Sequence, residues 1–143
     1  MSFRRRLLST GNRFGVWLYR RSSGRLMGGD KVLVITVPGR RTSEPRSTCV
    51  RYLDVPEGLL VWGSASGAPR DPDWFRNLRT AAEAEVQVGA EHHRVRPREL
   101  VGEERAAAWN DVVLELVPGV ERYARKSGRT IPVAVLERAA RGG

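Results

Sequence analysis

The sequence predicts an α+β fold: a mainly antiparallel barrel of about six short strands, closed or split, with helices packed around it. Three observations point there. Apolar and β-branched runs of strand length recur between short turns, the way antiparallel neighbours are joined. One long stretch, Glu103 to Val117, has helical periodicity instead. Short strands in an open sheet would leave edges exposed, and curling the sheet into a barrel removes them.

Phe3 to Arg21 reads as an amphipathic helix. Phe3, Leu7, Leu8, Phe14, Trp17 and Leu18 gather near one side, and arginines occupy the rest. Two readings of it stand: a stripe packed on the domain, or a helix lying on an anionic membrane surface. Ser22 to Asp30, with its Gly28-Gly29 pair, is a linker or turn. The predicted division is therefore residues 1–25, a basic amphipathic N-terminal helix, and residues 26–143, the barrel domain. Lys31 to Val37 is a continuous apolar strand, ended by Pro38-Gly39. Thr48 to Asp54 and Leu59 to Ser64 are strands joined through Val55-Pro56-Glu57-Gly58. Gly63 to Pro69 is too small and polar for an element. Asp71 then reads as the N-cap of a short helix running to Leu78, with Pro72 at its first position. Glu85 to Val88 and Glu91 to Arg98 form a hairpin turning at Gly89-Ala90. The Glu103 to Val117 helix breaks at Pro118-Gly119. Val120 to Arg125, carrying Tyr123, is a short turn or helix, and Thr130 to Glu137 is the last strand.

Composition narrows the function. At 143 residues one domain is expected. The one cysteine, Cys49, lies in an apolar strand pattern and reads as buried filler rather than a nucleophile. No stretch approaches the ~20 apolar residues of a membrane span, and no signal peptide is legible. The expected location is cytoplasmic, with or without contact to the membrane from that side. The net charge is +9, but seven of the 25 basic residues fall between Met1 and Arg25, where there is no acid. That leaves 18 basic and 16 acidic side chains in residues 26–143, a nearly neutral body. Nucleic-acid binding needs a basic face on the folded domain, so that class is set aside. His92 and His93, the only two histidines, would point to opposite faces of a strand and cannot share a metal ion. No histidine-based metal site is expected.

Two stretches carry candidate chemistry. The first is Gly39-Arg40-Arg41-Thr42-Ser43-Glu44-Pro45-Arg46-Ser47-Thr48. It combines three guanidinium groups with hydroxyls and turn backbone, the parts that bind phosphate or carboxylate. On its residues alone it is either an anion site or a solvated basic turn. The second is Gly63-Ser64-Ala65-Ser66-Gly67-Ala68-Pro69-Arg70-Asp71-Pro72-Asp73-Trp74-Phe75-Arg76-Asn77-Leu78, a small-residue loop feeding a helix N-terminus. Ser64 reads equally as a loop hydroxyl or a site residue, and Trp74 as core or as a cofactor neighbour.

These two blocks, with Glu85-Val86-Gln87-Val88-Gly89 and Arg129-Thr130-Ile131-Pro132-Val133, resemble the deazaflavin-dependent nitroreductase family from about Gly29 to Glu137. The resemblance implies a split β-barrel binding coenzyme F420, an 8-hydroxy-5-deazaflavin with a phosphate and an oligoglutamate tail. It implies hydride transfer from reduced F420 to a lipophilic, electron-poor acceptor: a quinone, an enone or a nitroaromatic. It would place Arg40, Arg41, Ser43 and Arg46 on the anionic tail. Ser64, Ala65, Ser66 and Gly67 would lie along the deazaflavin edge, Trp74 near the cofactor, and Ser64 and Tyr123 towards the substrate. The chain departs from the family at Ala65 and Ser66, where relatives often carry lysine and glycine, and Arg70 is the candidate replacement cation. Valines also stand at Val117 and Val120, where relatives active on bulky nitroimidazoles often have tyrosines. An enzyme of this kind needs no triad, metal or paired acids, because the cofactor carries the reaction. Two alternatives share the fold: a flavin-mononucleotide oxidoreductase, and a non-catalytic lipid or fatty-acid binding protein using Trp62, Val117 and Val120. The expected partners are a small-molecule substrate and, through the N-terminal helix, an anionic membrane surface, in a monomer or homodimer.

Overall fold

The computed structural model describes residues 31–64 and 67–139. The expectations for residues 1–30, and for Ala65 and Ser66, fall outside them.

Seven strands form one antiparallel sheet in the order β2-β1-β5-β6-β7-β4-β3. They are β1 (Val32–Pro38), β2 (Pro45–Arg51), β3 (Leu53–Val55), β4 (Gly58–Trp62), β5 (Ala84–Val88), β6 (Glu91–Glu99) and β7 (Val133–Arg138). Helix α1 is Asp73–Thr80. Helix α2 begins as Gly102–Ala107, widens into a π-helical segment, Ala108–Val113, and closes with Leu114–Leu116. Helix α3 is Val120–Ser127. The sheet curls into a split half-barrel with the helices around it.

Strand alternation explains the two cores. Leu33, Ile35 and Val37 of β1 point inward with Val86, Val95, Ala134 and Leu136, and α1 adds Phe75 and Leu78. On the other side of β4 and β7, Leu60, Trp62, Val133 and Val135 are covered by Trp109 and Val113 of α2 and Val120 of α3. Strand β7 is therefore buried on both faces, and Val133 through Leu136 form an unbroken apolar run.

The sheet has one strand more than expected, because Thr48 to Asp54 is not a single strand. β2 pairs with β1 and β3 with β4, and the chain changes partner at Tyr52, whose N–H donates to the Lys31 carbonyl at 3.0 Å. The apolar pattern runs through that switch and hides it. β2 also begins earlier, so Arg46 and Ser47 belong to a strand rather than to the turn. β4 stops at Trp62, before the expected Ser64. Asp71 is not the helix cap: Pro72 holds the N-cap position, at φ −65° and ψ 152°, with no side-chain cap bond. The Asp71 carboxylate is held by arginines instead. Cys49 is half-buried on the outer side of the sheet beside Val34 rather than in either main core. Trp62 and Val120 are core residues, 6% and 3% exposed, so they form no open acyl-chain surface.

Candidate functional site

Alternating strand directions put the strand ends on two rims. One rim is closed by the tight turns at Pro56-Glu57 and Gly89-Ala90. The other collects the C-terminal ends of β1, β4 and β6 and the N-terminal ends of β2, β5 and β7. The Gly39–Glu44 turn, the loop from Gly63 to Pro72 and the Arg129–Pro132 segment all leave from this second rim. Blocks far apart in sequence therefore meet at one end of the sheet.

The β1–β2 turn is built by its own backbone. The Gly39 N–H donates to the Glu44 carbonyl and the Ser43 N–H to the Gly39 carbonyl, both at 2.8 Å. Ser43 adopts the left-handed region at φ 62°, and the Thr42 Oγ1 accepts the Glu44 N–H at 3.2 Å. Arg40 ties this turn to α1. Its backbone N–H and its Nη1 donate to the Asn77 Oδ1 at 3.2 and 2.7 Å, and Nη2 lies 3.4 Å from the Asp73 carboxylate. Asn77 is only 6% exposed, so these bonds satisfy a buried amide oxygen that would otherwise be costly.

Arg129 organises the second block. Its Nε donates to the Ala68 carbonyl at 3.0 Å, and Nη1 to the Asp71 Oδ1 at 2.7 Å. Its Nη2 reaches the Gly63 and Ser64 carbonyls at 2.9 and 3.3 Å. One guanidinium thus holds the loop at four points, which lysine could not do. The other Asp71 oxygen accepts from Arg79 at 3.1 Å, and Arg79 also grips Glu99 at 2.7 and 2.9 Å across the sheet. The Glu99 hydrogen bond raises the Arg79 pKa further above its ordinary value, against the opposing effect of burial. A Cβ on Gly63 would lie 3.0 Å from Pro72 Cδ and 3.1 Å from Pro132 Cγ, so the loop leaves the barrel through a gap where a side chain would have to push two proline rings aside.

The remaining expected site residues are placed differently. Arg41 and Arg70 are exposed, and no described residue holds either of them. Arg46 is more than half exposed and sits 3.9 Å from the Glu44 carboxylate. Ser43 is exposed in the turn. Ser64 is half-buried, and its carbonyl also accepts the Gly67 N–H at 2.9 Å. Tyr123 is 42% exposed on α3. Trp74 packs on the barrel core and meets Phe75 edge-on, with ring centroids 5.3 Å apart. The sequence reading gave no role to Arg129 or Asn77. Arg129 stands in a quoted block, yet nothing in the sequence shows a guanidinium aimed at backbone 61 to 66 residues earlier. Asn77 carries no sequence signal beyond being an amide in a helix.

The donor set fits an anionic cofactor. Arg41, Arg46 and Arg70 are permanent cations with guanidinium donors open to solvent. A split barrel with such a rim is chemically suited to a ligand with an anionic handle. Comparison with known proteins gives the family. Residues 11–138 match the model of the F420H(2)-dependent quinone reductase family, and the chain belongs to it. Among its relatives are F420H(2)-dependent quinone reductases from two Mycobacterium tuberculosis strains, H37Rv and CDC 1551. Each is 30% identical over 127 residues, 85% of this chain and 85% of theirs. Among solved structures, an F420-H2 dependent reductase, FDR-A, matches with a TM-score of 0.65 at 27% identity, over 74% of this chain and 93% of that one. The heme storage protein HutZ of Vibrio cholerae, at a TM-score of 0.56 and 11% identity over 88% of this chain and 89% of its own, shares the fold alone. The chain is thus an F420-dependent oxidoreductase.

Proposed function

We propose that this chain passes a hydride from reduced F420 to a quinone, and that enones or nitroaromatics of similar size also serve as acceptors. The observation that supports this most is the meeting, on one rim, of a basic turn whose Arg41 has no described partner and a loop held by Arg129. When bound, the deazaflavin supplies the hydride chemistry. The protein binds, orients and provides a proton. In this reading Arg41 and Arg46, with Ser43, hold the phosphate and carboxylates of the tail, and Arg70 adds a cation across the loop. Arg40 contributes by fixing the turn on α1, with donors left over for the tail. The Ser64–Gly67 loop lines the ring edge, and Trp74 flanks the cofactor.

Ser64 and Tyr123 face the acceptor. Neither hydroxyl has a partner among the described residues, so each is free to bond an acceptor oxygen. Reduction of a quinone to the hydroquinone takes up one hydride and one proton. Either hydroxyl can deliver that proton to the carbonyl oxygen and recover it from water. Val117, half-buried beside the core, leaves this end apolar, which suits a lipophilic acceptor.

The basic segment Met1–Arg25 would bring the site to an anionic membrane from the cytoplasmic side, where lipophilic quinones partition. Two assays test the proposal. F420H2 oxidation with a soluble quinone, an enone and a nitroaromatic ranks the acceptors, and a chain that oxidises F420H2 with none of them contradicts it. Co-sedimentation with anionic vesicles, comparing the full chain with an Arg4→Gln/Arg5→Gln/Arg6→Gln variant, tests the membrane contact. Equal pelleting of the two removes it.

A further inference from the structure

The geometry points to Lys126 as a further anion-binding residue of the cofactor site, seated against Gly67 by that residue's missing side chain. The inference rests on the reading of the rim as the F420 site. Gly67 is buried and has φ 86°. A Cβ built on it would lie 2.8 Å from Lys126 Cδ and 3.1 Å from both Cβ and Cγ. The lysine stem therefore lies along the loop backbone, where any residue but glycine would displace it. Its ammonium is two bonds beyond the Cδ that makes the tightest approach.

The charges around it single this lysine out. Arg125, the preceding residue, has a carboxylate within reach, Glu121 at 3.9 Å. Arg129 is committed to Asp71 and three carbonyls. Lys126 is exposed, and no described residue partners its ammonium. A lysine in the last turn of α3 could serve only to offset the helix dipole. That role needs no contact with Gly67, and Arg125 already fills it. Lys126 also lies three residues beyond Tyr123, about one helical turn along α3. The group it would meet is anionic: the ionised 8-hydroxyl of the chromophore, or the phosphate and carboxylates of the tail.

The test uses the full chain and its Lys126→Gln and Lys126→Arg variants. Each is titrated by fluorescence quenching with F420 and with the riboside chromophore that lacks phosphate and glutamates, and thermal midpoints are measured alongside. The expected result is that Lys126→Gln weakens F420 by roughly tenfold. Lys126→Arg should recover most of that loss, and the midpoint should not move. If the riboside also weakens, and absorbance shows the bound 8-hydroxyl ionising at higher pH, the partner is the chromophore. If only F420 weakens, the partner is the tail. Unchanged affinity for both ligands in Lys126→Gln overturns the inference, as does a fallen midpoint with unchanged affinity. Weakening of F420 by Arg41→Ala in the same series shows that the site reading survives that failure. If the unsubstituted chain binds neither ligand, both readings fall.

Discussion

Arg129 and Arg41 are the same residue type at the same rim, and they do opposite work. Arg129 is 14% exposed with four acceptors around it, and the loop takes its shape from those bonds. Arg41 stands in water with no described partner, on a turn that the backbone and Arg40 already hold. Arg79 belongs with the first, gripping Asp71 and Glu99. Arg70 belongs with the second, and Arg46 lies nearest to it, more than half exposed with only the Glu44 carboxylate 3.9 Å away. The difference teaches how a basic motif divides its labour. Guanidinium groups that are satisfied by the protein build the cradle, and those left unsatisfied are available to a ligand.

The sharpest way to break this division is at Arg129. Arg129→Ala leaves the half-buried Asp71 with Arg79 alone and unbonds two loop carbonyls. It should cost about 3 kcal/mol or more in stability, seen as a fall of roughly 10 °C in the calorimetric midpoint. F420 binding should be lost with it, since the loop goes too. Gly63→Ala comes next. Its methyl would press on Pro72 and Pro132, ring atoms with little freedom to move, for about 1–3 kcal/mol. Arg41→Ala and Arg46→Ala test the other side of the comparison. Each should weaken F420 roughly tenfold in a fluorescence titration while leaving the midpoint in place. The smallest effect concerns an ion pair away from the rim. Arg98 donates to Glu104 at 2.7 Å, and that bond holds the Glu104 pKa below the ordinary value of 4.5. A depressed carboxylate stabilises the fold above pH 4.5, and its contribution disappears as pH falls through the lowered value. Glu104→Gln should therefore narrow the stability difference between pH 6 and pH 3 slightly, since the pair is exposed. Denaturant midpoints at the two pH values measure it.

Much of the fold was legible because it is written in local patterns. Val32 to Val37 and Val133 to Leu136 are apolar runs of strand length, and Gly89-Ala90 marks a turn wherever it stands. The partner switch at Tyr52 was not legible, because strand pairing is decided by neighbours distant in the chain. Asp71 misled for a related reason. An aspartate before Pro72 reads as a cap, yet its carboxylate is drawn to Arg79 and to Arg129, and the latter lies 58 residues away. At the site, the sequence located the basic turn and the small-residue loop. It could not sort the arginines, because being satisfied or free depends on Asn77, Glu99 and the loop carbonyls coming close in space.

The measurement that bears most directly on this division is a paired one on an Arg41→Ala/Arg46→Ala double variant: F420 affinity by fluorescence quenching, and thermal midpoint on the same preparation. With unsatisfied guanidinium groups serving as the tail site, affinity should fall by about two orders of magnitude, and the midpoint should stay within a degree or so of the parent. Unchanged affinity, or a midpoint that falls as far as that of Arg129→Ala, would contradict it.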